Sequence, residues 1–327
     1  MNDTELKASG KAHRRGVTLF DLQRMFPDEA AARDWFEAIV WPDGERFCPN
    51  CGTDNNHECS HAKMPYRCRD CKRYFSVKTG TVMARSKLPL LKWLYAIYLD
   101  TTSLKGVSSM KIHRDLGVTQ KTAWFMLQRI REFSDSGPTV RFKGPVEVDE
   151  TYVGGLERNK HESQRKHEGR GGIGKTAVVG AKDRATGMVT ARVVRRTDGE
   201  TLKGFVHEHA AEGAEVFTDD ASAYRGLPNH ETVKHSVGEY VADRVHTNSI
   251  ESFWSMLKRA HKGVYHKLSP KHLQRYVNQF AGRHNFRDLD TLAQMVAVTE
   301  GLAGKRLQYR DLIADNGLPS GAREAAA

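Results

Sequence analysis

The 327-residue chain is 39% hydrophobic and 28% charged, which supplies apolar material for about two domains and argues against a wholly disordered protein. Its formal net charge of +11 predicts a polyanionic partner. No run approaches the roughly 18 consecutive apolar residues of a membrane span, and the first residues lack the apolar centre of a secretory signal. We therefore expect a cytoplasmic protein that has no membrane partner.

Residues 1–44 form the first predicted segment, which is helical. From Thr18 onwards apolar residues recur at three- and four-residue intervals on both sides of Pro27. This spacing predicts two short helices. The sequence Pro42-Asp43-Gly44 predicts a turn that leads into the next segment.

Four of the five cysteines form two close pairs within the second predicted segment, residues 45–85. Cys48 and Cys51 stand in CPNC, Cys68 and Cys71 stand in CRDC, and sixteen residues separate the pairs. A two-residue gap lets one tight turn direct both sulfurs at the same ion. The spacing therefore predicts a structural Zn²⁺ held by four thiolates in a zinc ribbon, not a disulfide framework. Two unrelated thiol motifs are the alternative.

The fifth cysteine, Cys59, lies between the two pairs with His57 and His61 beside it. This cluster could replace a zinc ligand or bind a second metal. We expect instead an ordinary loop between the knuckles.

Residues 86–140 are predicted to be helical and to bind DNA. After an apolar helix that starts near residue 88, a helix over Ser108 to Asp115 and a helix from a Thr119 N-cap flank the turn Leu116-Gly117-Val118. Two helices joined by a short turn containing Gly are typical of the helix-turn-helix, whose second helix enters the major groove. A helical hairpin packed on its neighbours is the alternative.

The second helix of this pair would present Gln120, Lys121 and Gln128 to DNA. Its predicted buried stripe is Ala123, Met126, Leu127 and Ile130. Charge favours DNA binding, because residues 51–145 carry 17 Lys and Arg against seven Asp and Glu.

Polar residues 134–145 mark a domain boundary. From Val146 onwards, β-rich runs predict three strands, a helix and another strand, which is a mixed α/β domain over residues 145–290. The basic insertion after the first strand has little apolar content and is predicted to be a mobile loop. Residues 291–327 are predicted to be a helical tail whose end is disordered.

Within this insertion, GRGGIGKT (Gly169 to Thr176) matches the phosphate-loop pattern. Such a loop follows a buried strand and opens a helix, whose N–H groups face the phosphates. Here a charged loop precedes the motif and the strand-like TAVVGA follows it. We therefore expect no nucleotide site, and an ATPase that depends on Lys175 is the least favoured function.

Three carboxylates stand at places that predict a metal site. Asp149 lies inside the apolar strand VEVDETYV, Asp219 ends the apolar strand AEVFTD, and Glu251 lies on a predicted helix. A carboxylate in an apolar strand is unfavourable unless it binds a cation or a hydrogen-bond donor. Two strand carboxylates and one helix carboxylate suit two Mg²⁺ or Mn²⁺ ions in phosphoryl transfer.

Lys258 lies two turns after Glu251 on the same polar helix face and would hold a phosphate as a point charge. Simpler roles stay open. Asp149 and Asp219 could cap strand ends, and Asn248 with Glu251 three residues later is close to a helix capping box. Further along this stretch Arg259 and Lys262 would contact DNA phosphates.

These motifs resemble those of the DDE-type transposases of bacterial insertion sequences, in the group with an N-terminal zinc ribbon. The resemblance runs from about residue 18 to residue 290 through WPDGERFCPNCG, CRDC, VEVDETYVGG and TDDASAY. Its two most specific motifs are HTNSIESFWSMLKR and GVYHKLSPKHLQRYVNQFAGRHN.

The resemblance implies a ribonuclease H-like catalytic domain and metal-dependent transfer of DNA strands. Asp149 and Asp219 match the first two acids of the family, with Asp220 as the alternative for the second. Glu251 matches the third, with Asn248 as a co-ligand or replacement. Lys258 matches the basic residue that follows the third acid by seven positions.

The resemblance also implies the partners. These are double-stranded DNA, at the ends of the element and at the target, and further copies of the chain, at least a dimer on DNA. A transposase of this kind is cytoplasmic and associated with the bacterial nucleoid. A non-catalytic regulator that binds DNA through the ribbon and the helix-turn-helix is the alternative.

Overall fold

The computed structural model describes residues 14–135, 141–155, 161–162, 165, 172–219, 221–233 and 247–320. The chain divides into two compact units, unit 1 (Met1–Ser134 with Phe286–Ala314) and unit 2 (Asp135–Asn285 with Asp315–Ala327). Helices and sheets are both present, so the predicted mixed α/β class is confirmed. No helix within the described ranges is long and apolar enough to cross a membrane.

Unit 1 begins with the two helices predicted around Pro27. They are α1 (Leu19–Met25) and α2 (Glu29–Val40). Each helix has a side-chain N-cap, Thr18 for α1 and Asp28 for α2, which supplies an acceptor to an otherwise unpaired backbone N–H. The predicted turn follows as a single 3-10 turn, Pro42–Gly44.

The ribbon that follows contains three short strands in the order β1-β2-β3, all antiparallel. They are β1 (Asn56–Glu58), β2 (Tyr66–Cys68) and β3 (Tyr74–Phe75). β2 and β3 pair as a hairpin around the second cysteine pair. The sequence did not indicate β1, because its three polar residues carry no apolar alternation.

The rest of unit 1 is helical. Its elements are α3 (Leu90–Thr102), α4 (Ser109–Leu116), α5 (Gln120–Ile130), α9 (Thr291–Glu300) and α10 (Tyr309–Ile313). Thr119 caps α5 as predicted, and Gly117 ends α4 in the left-handed conformation, with φ +58°. The sequence predicted a separate tail from residue 291, whereas α9 packs on α2 and α3 and contributes Met295 and Val298 to their core.

Unit 2 is built on a five-stranded sheet among the described residues. Its strands are β4 (Val146–Val153), β5 (Thr176–Asp183), β6 (Val189–Val194), β7 (Val216–Asp219) and β8 (His230–Val233). The order is β6-β5-β4-β7-β8. The first three strands in sequence are antiparallel, and β7 and β8 run parallel to β4.

Helices cover both faces of this sheet. They are α6 (Gly199–His209), α7 (Asn248–Ala260) and α8 (Pro270–Asn285). One core contains Val148 of β4 and Phe205 of α6, and the other contains Val178 of β5 and Trp254 of α7.

The elements β4, β5, β6, α6 and β7 follow one another along the chain, so the predicted order of three strands, a helix and a strand is correct. Most of the predicted mobile loop lies outside the described residues.

The phosphate-loop match is not followed by a helix. Residues 172–175 form a turn and Thr176 begins β5. Lys175 therefore leads into a strand, as expected from the sequence, and no helix N-terminus follows it to face a phosphate.

Candidate functional site

The four predicted zinc ligands come together in unit 1. The Sγ atoms of Cys48, Cys51, Cys68 and Cys71 all lie within 4.8 Å of one another. Cys48 is 3.6 Å from Cys71, and Cys51 is 3.6 Å from Cys68. Sulfurs about 2.3 Å from one tetrahedral ion lie about 3.8 Å apart, so the four thiols fit Zn²⁺.

The chemistry of Cys48 also fits a thiolate ligand. Burial raises its pKa, but the backbone N–H groups of Asn50 and Cys51 and the thiols of Cys51 and Cys71 together outweigh burial and lower the pKa to about 7. A thiolate at this position is therefore accessible near neutral pH, which metal binding by cysteine requires.

The cluster around Cys59 has no metal-site geometry in the described residues. The one group of three or more Cys, His, Asp and Glu side chains found there with mutually close ligand atoms is the four-cysteine set. The Cys59 thiol donates to the Met64 carbonyl at 3.4 Å, and the His61 ring accepts two backbone N–H groups. His57 lies in β1, and Cys59 and His61 bond to the backbone of the segment between β1 and β2.

In the helix-turn-helix, two of the three predicted DNA contacts are exposed and one is not. Gln120 and Lys121, at the start of α5, are exposed. Gln128 is fully buried at 0% exposure, so its prediction as a base contact is wrong. The end of α5 is covered on more than its apolar stripe, since Arg131, the C-cap residue, is also buried. The predicted stripe itself is buried at Ala123, Met126, Leu127 and Ile130.

Asp149 and Asp219 lie on neighbouring strands of unit 2. The parallel pairing of β4 with β7 sets Val146 opposite Val216 and Glu147 opposite Phe217. Continuing this register by two residues sets Asp149 beside Asp219, on strands about 5 Å apart. Side chains alternate along a strand, so both carboxylates share a face with Glu147 and Phe217.

That face of the sheet is the one that α7 covers. The Ile250 backbone N–H in the first turn of α7 donates to the Glu147 carboxylate at 2.9 Å. On β5, the register partner of Asp149 is Gly180, where an added Cβ would lie 2.7 Å from the Trp254 ring. Trp254 thus rests on the backbone beside Asp149, and Glu251 precedes it by three residues on the exposed side of the helix.

The first turn of α7 does not form the capping box. Thr247 is the N-cap and Asn248 is already the first helical residue. The Glu251 carboxylate accepts the Thr247 hydroxyl at 3.2 Å. Asn248 and Glu251 are both exposed, with side chains that remain accessible to a ligand.

The predicted basic residues near the acids are exposed. Lys258 lies on α7 about 10 Å along the helix axis from Glu251, since seven residues rise by that amount. Arg259 follows it and donates from its guanidinium to the Ser255 side chain at 2.8 Å. Lys262 lies in the turn after α7. All three are available to phosphates.

The carboxyl group of Asp149 is strongly perturbed. Burial, then the charge of Glu150, then the charges of Asp219 and Glu251, raise its pKa to about 7. The three predicted acids therefore interact electrostatically. A half-buried acid that is surrounded by acids is the environment that a divalent cation neutralises.

The sequence did not indicate Glu150 and Tyr224 as part of this region. The Tyr224 hydroxyl donates to the Glu150 carboxylate at 2.7 Å, and Tyr224 is fully buried. Burial raises the pKa of Glu150, the Tyr224 hydrogen bond opposes this shift, and the charge of Asp219 adds to it. Their positions beside Asp149 and within TDDASAY were the available signals.

The side-chain oxygens of the three predicted acids are not all within 4.8 Å of one another in the described residues. A two-ion site does not require this. Ions about 4 Å apart with oxygen ligands about 2.1 Å away can be held by carboxylates up to about 8 Å apart. Asp220, the alternative second acid, lies outside the described residues.

Comparison with known proteins bears on both units. Residues 27–74 match the family model described as a transposase zinc-ribbon domain, and residues 141–285 match the ISXO2-like transposase domain. The chain is 30% identical over 259 residues to the "Uncharacterized protein in transposable element ISH50" of Halobacterium salinarum. This alignment covers 74% of the chain and 87% of the relative. The chain belongs to the DDE-type transposases of insertion sequences, in the group that carries an N-terminal zinc ribbon.

Proposed function

We propose that this transposase binds the terminal repeats of its element and catalyses metal-dependent DNA cleavage and strand transfer with Asp149, Asp219 and Glu251 as its acids. One observation carries the proposal. The β4–β7 register, continued by two residues, sets Asp149 beside Asp219, and burial together with the charges of Glu150, Asp219 and Glu251 raises the pKa of the half-buried Asp149 carboxyl. Such a set of carboxylates is unfavourable in a protein that does not bind a cation.

Two Mg²⁺ or Mn²⁺ ions would supply activation of the attacking oxygen and stabilisation of the leaving oxygen. Asp149 and Asp219 hold them from the sheet, and Glu251 holds them from the exposed side of α7. Asn248 lies one turn before Glu251 and serves as a co-ligand through its amide oxygen. Lys258 orients a DNA phosphate as a point charge, since its ammonium is exposed on the same helix.

Double-stranded DNA is held by both units. Gln120 and Lys121 at the exposed start of α5 contact the terminal repeat, and Arg259 and Lys262 contact phosphates near the acids. We further propose that at least two copies act together, because two ends of the element have to be joined to one target. We also propose that the protein acts in the cytoplasm, in association with the nucleoid.

A strand-transfer assay tests this function. The substrate is a duplex that carries the terminal repeat found beside the coding region, with supercoiled DNA as the target and Mg²⁺ or Mn²⁺ present. Asp149→Asn should reduce strand transfer by more than about a hundredfold, since loss of a partner that only supports a metal ligand already costs 10- to 100-fold. Wild-type activity in Asp149→Asn would refute the assignment.

Asp198→Asn is the matched control. Asp198 caps α6 in the same unit and accepts the Thr201 backbone N–H at 3.0 Å, so this change removes an equal charge away from the acids. It should leave strand transfer within a few-fold of wild type. The alternative function, a non-catalytic regulator, predicts full DNA affinity and no metal-dependent cleavage even by the wild-type protein.

A further inference from the structure

Each of the three proposed acids follows, within two residues, a member of one buried cluster. Glu147 precedes Asp149 by two residues, Phe217 precedes Asp219 by two, and Ile250 precedes Glu251 by one. The order is the same on β4, β7 and α7. The cluster that these neighbours form is therefore the closest shared support of the acids.

Glu147 is the centre of this cluster and is 0% exposed. One carboxylate oxygen accepts the Ile250 backbone N–H at 2.9 Å, and the other accepts the Arg184 Nε–H at 2.8 Å. A buried carboxylate requires such partners, because an uncompensated charge in an apolar interior is unfavourable by several kcal/mol. The hydrogen bond from Ile250 ties the start of α7 to β4.

Arg184 connects the same carboxylate to the third element. It follows β5, its side chain is 17% exposed, and its guanidinium carbon lies 4.1 Å from the centre of the Phe217 ring on β7. A planar guanidinium can donate to a carboxylate and stack on an aromatic face at once, which lysine cannot do. One ion pair thus contacts the three elements that carry the acids.

The short spacing makes this support stiff. Two residues of strand separate Glu147 from Asp149 and Phe217 from Asp219, so a displacement at the cluster passes to the acids with little loss. A buried ion pair adds little net stability compared with apolar residues of similar size, but its directional bonds fix one arrangement. Metal sites depend on such supporting contacts to orient their ligands.

We propose that Glu147 and Arg184, together with Phe217, are positioning residues that set the spacing of Asp149, Asp219 and Glu251 for divalent metal binding. The inference rests on the proposed function, because it assigns these three acids to the metals. Neither Glu147 nor Arg184 contacts substrate in this role. They act through the backbone of the first turn of α7 and through the two strands.

Two variants and a matched control test the inference. Glu147→Gln removes the charge that holds Arg184, and Arg184→Lys keeps a cation beside Glu147 but loses the stacked, planar donor. Glu208→Gln is the control, because Glu208 pairs with Arg192, whose guanidinium also lies over an aromatic ring, that of Phe205. That ion pair joins α6 to β6, which carry none of the acids.

The measurements use the full-length, zinc-loaded protein. Binding of Mn²⁺ is followed by electron paramagnetic resonance, and backbone hydrogen exchange is followed by mass spectrometry in the absence of Mn²⁺. Glu147→Gln and Arg184→Lys should weaken Mn²⁺ binding by about tenfold or more. They should also speed exchange in the first turn of α7 relative to α6, whereas Glu208→Gln should change neither quantity there.

Asp149→Asn separates failure of this inference from failure of the function. If it abolishes Mn²⁺ binding while Glu147→Gln and Arg184→Lys bind Mn²⁺ and exchange like wild type, the positioning role is overturned and the function stands. If Asp149→Asn binds Mn²⁺ normally, the function fails and the positioning of metal ligands fails with it. If Glu147→Gln does not fold, Arg184→Lys, which keeps a cation beside the buried carboxylate, decides the outcome.

Discussion

The Asp149 carboxyl group shows what the proposed metal site demands of the protein. Its pKa is raised to about 7, first by burial and then by the charges of Glu150, Asp219 and Glu251. Without a cation the folded protein therefore holds an acid that resists ionisation at neutral pH. The arrangement is unfavourable for stability and favourable for binding a cation, which is common at functional sites.

The raised pKa of Asp149 makes the stability of the metal-free protein depend on pH. In the unfolded chain Asp149 ionises near pH 4, whereas in the folded protein its pKa is about 7. Between these values the folded state binds more protons, so the contribution of Asp149 to the free energy of unfolding falls as pH rises from about 4 to about 7. At pH 8 the raised pKa of Asp149 lowers the free energy of unfolding by at most about 4 kcal/mol relative to an aspartate of ordinary pKa.

Asp149→Asn should therefore raise the free energy of unfolding of the metal-free protein at pH 8 by up to about 4 kcal/mol and have little effect at pH 4. Urea unfolding of both proteins at several pH values, in zinc-loaded samples kept free of Mg²⁺ and Mn²⁺, measures this. Asp198→Asn should act in the opposite direction at neutral pH, because the hydrogen bonds from Thr201 lower the pKa of Asp198. An unchanged pH profile in Asp149→Asn would contradict the raised pKa.

Lys121 and Gln128 of α5 were both predicted to contact DNA, but they differ in burial. Lys121 is exposed, with its ammonium 4.7 Å from the centre of the Tyr309 ring, whereas Gln128 is fully buried. Lys121→Ala should weaken binding to all duplexes and lower the salt dependence of binding by about one counterion. Gln128→Ala should instead lower the free energy of unfolding by about 1–3 kcal/mol and leave the salt dependence unchanged. Fluorescence anisotropy and urea unfolding distinguish the two.

At the scale of elements, the turn between α4 and α5 depends on Gly117. This residue has φ +58°, and an added Cβ would meet nothing within 4 Å. The effect of a side chain here is therefore conformational and not steric. A non-glycine residue in this left-handed conformation costs about 1–2 kcal/mol.

Gly117→Ala should accordingly lower the free energy of unfolding of unit 1 by about 1 kcal/mol or more. Gly204→Ala is its control in α6, where an added Cβ also meets nothing within 4 Å and the helix has ordinary geometry. That change should raise stability by about 0.5–1 kcal/mol, since alanine favours a helix over glycine. Thermal unfolding of both variants compares the signs, and equal signs would contradict the role of Gly117 as a helix end.

Local chemistry explains which elements could be predicted from sequence. The bounds of α4 and α5 follow from Ser108, Gly117 and Thr119, which act through their own backbone neighbours. Apolar alternation indicated β4 and β5 for the same reason. The three-residue β1 has no such pattern. The packing of α9 on α2 and α3 could not be predicted, because no local sequence pattern indicates which helices are its partners.

Some features of the candidate site could likewise be predicted from the sequence, and others could not. The spacing of the four cysteines and the position of Asp149 in an apolar strand are visible in the sequence. The register that brings Asp219 beside Asp149 is not visible, because it depends on pairing between residues 70 positions apart. The partners of Glu147 and the burial of Gln128 are likewise tertiary properties, which no local sequence pattern indicates.

At the scale of the whole molecule, opposite charges serve different purposes in the two units. Residues 51–145, which contain most of the ribbon and the predicted helix-turn-helix, hold ten more basic than acidic residues. In unit 2 the three proposed acids come from β4, β7 and α7, while Lys258, Arg259 and Lys262 are exposed on and after α7. Under the proposed function, the net charge of +11 combines a basic surface for DNA with a local acidic site for cations.

The core of unit 1 includes the zinc ligands themselves. Cys48 and Cys68 are buried at 1% and 0% exposure in the same cluster as Trp41, Tyr66 and Phe75. A small three-stranded ribbon has too little apolar surface to fold on its own, so metal binding contributes much of its folding free energy. Loss of one ligand should thus disturb this aromatic cluster as well as the metal.

Cys51→Ser should consequently abolish stoichiometric zinc binding and lower the unfolding temperature of unit 1, while unit 2, which has cores of its own, keeps its transition. Cys59→Ser is the control, because Cys59 lies in the same ribbon outside the four-sulfur set. It should retain one zinc and the wild-type transition. Zinc content, measured by release to a chromogenic chelator, and calorimetry check both variants. Full zinc content in Cys51→Ser together with loss in Cys59→Ser would reassign the ligands.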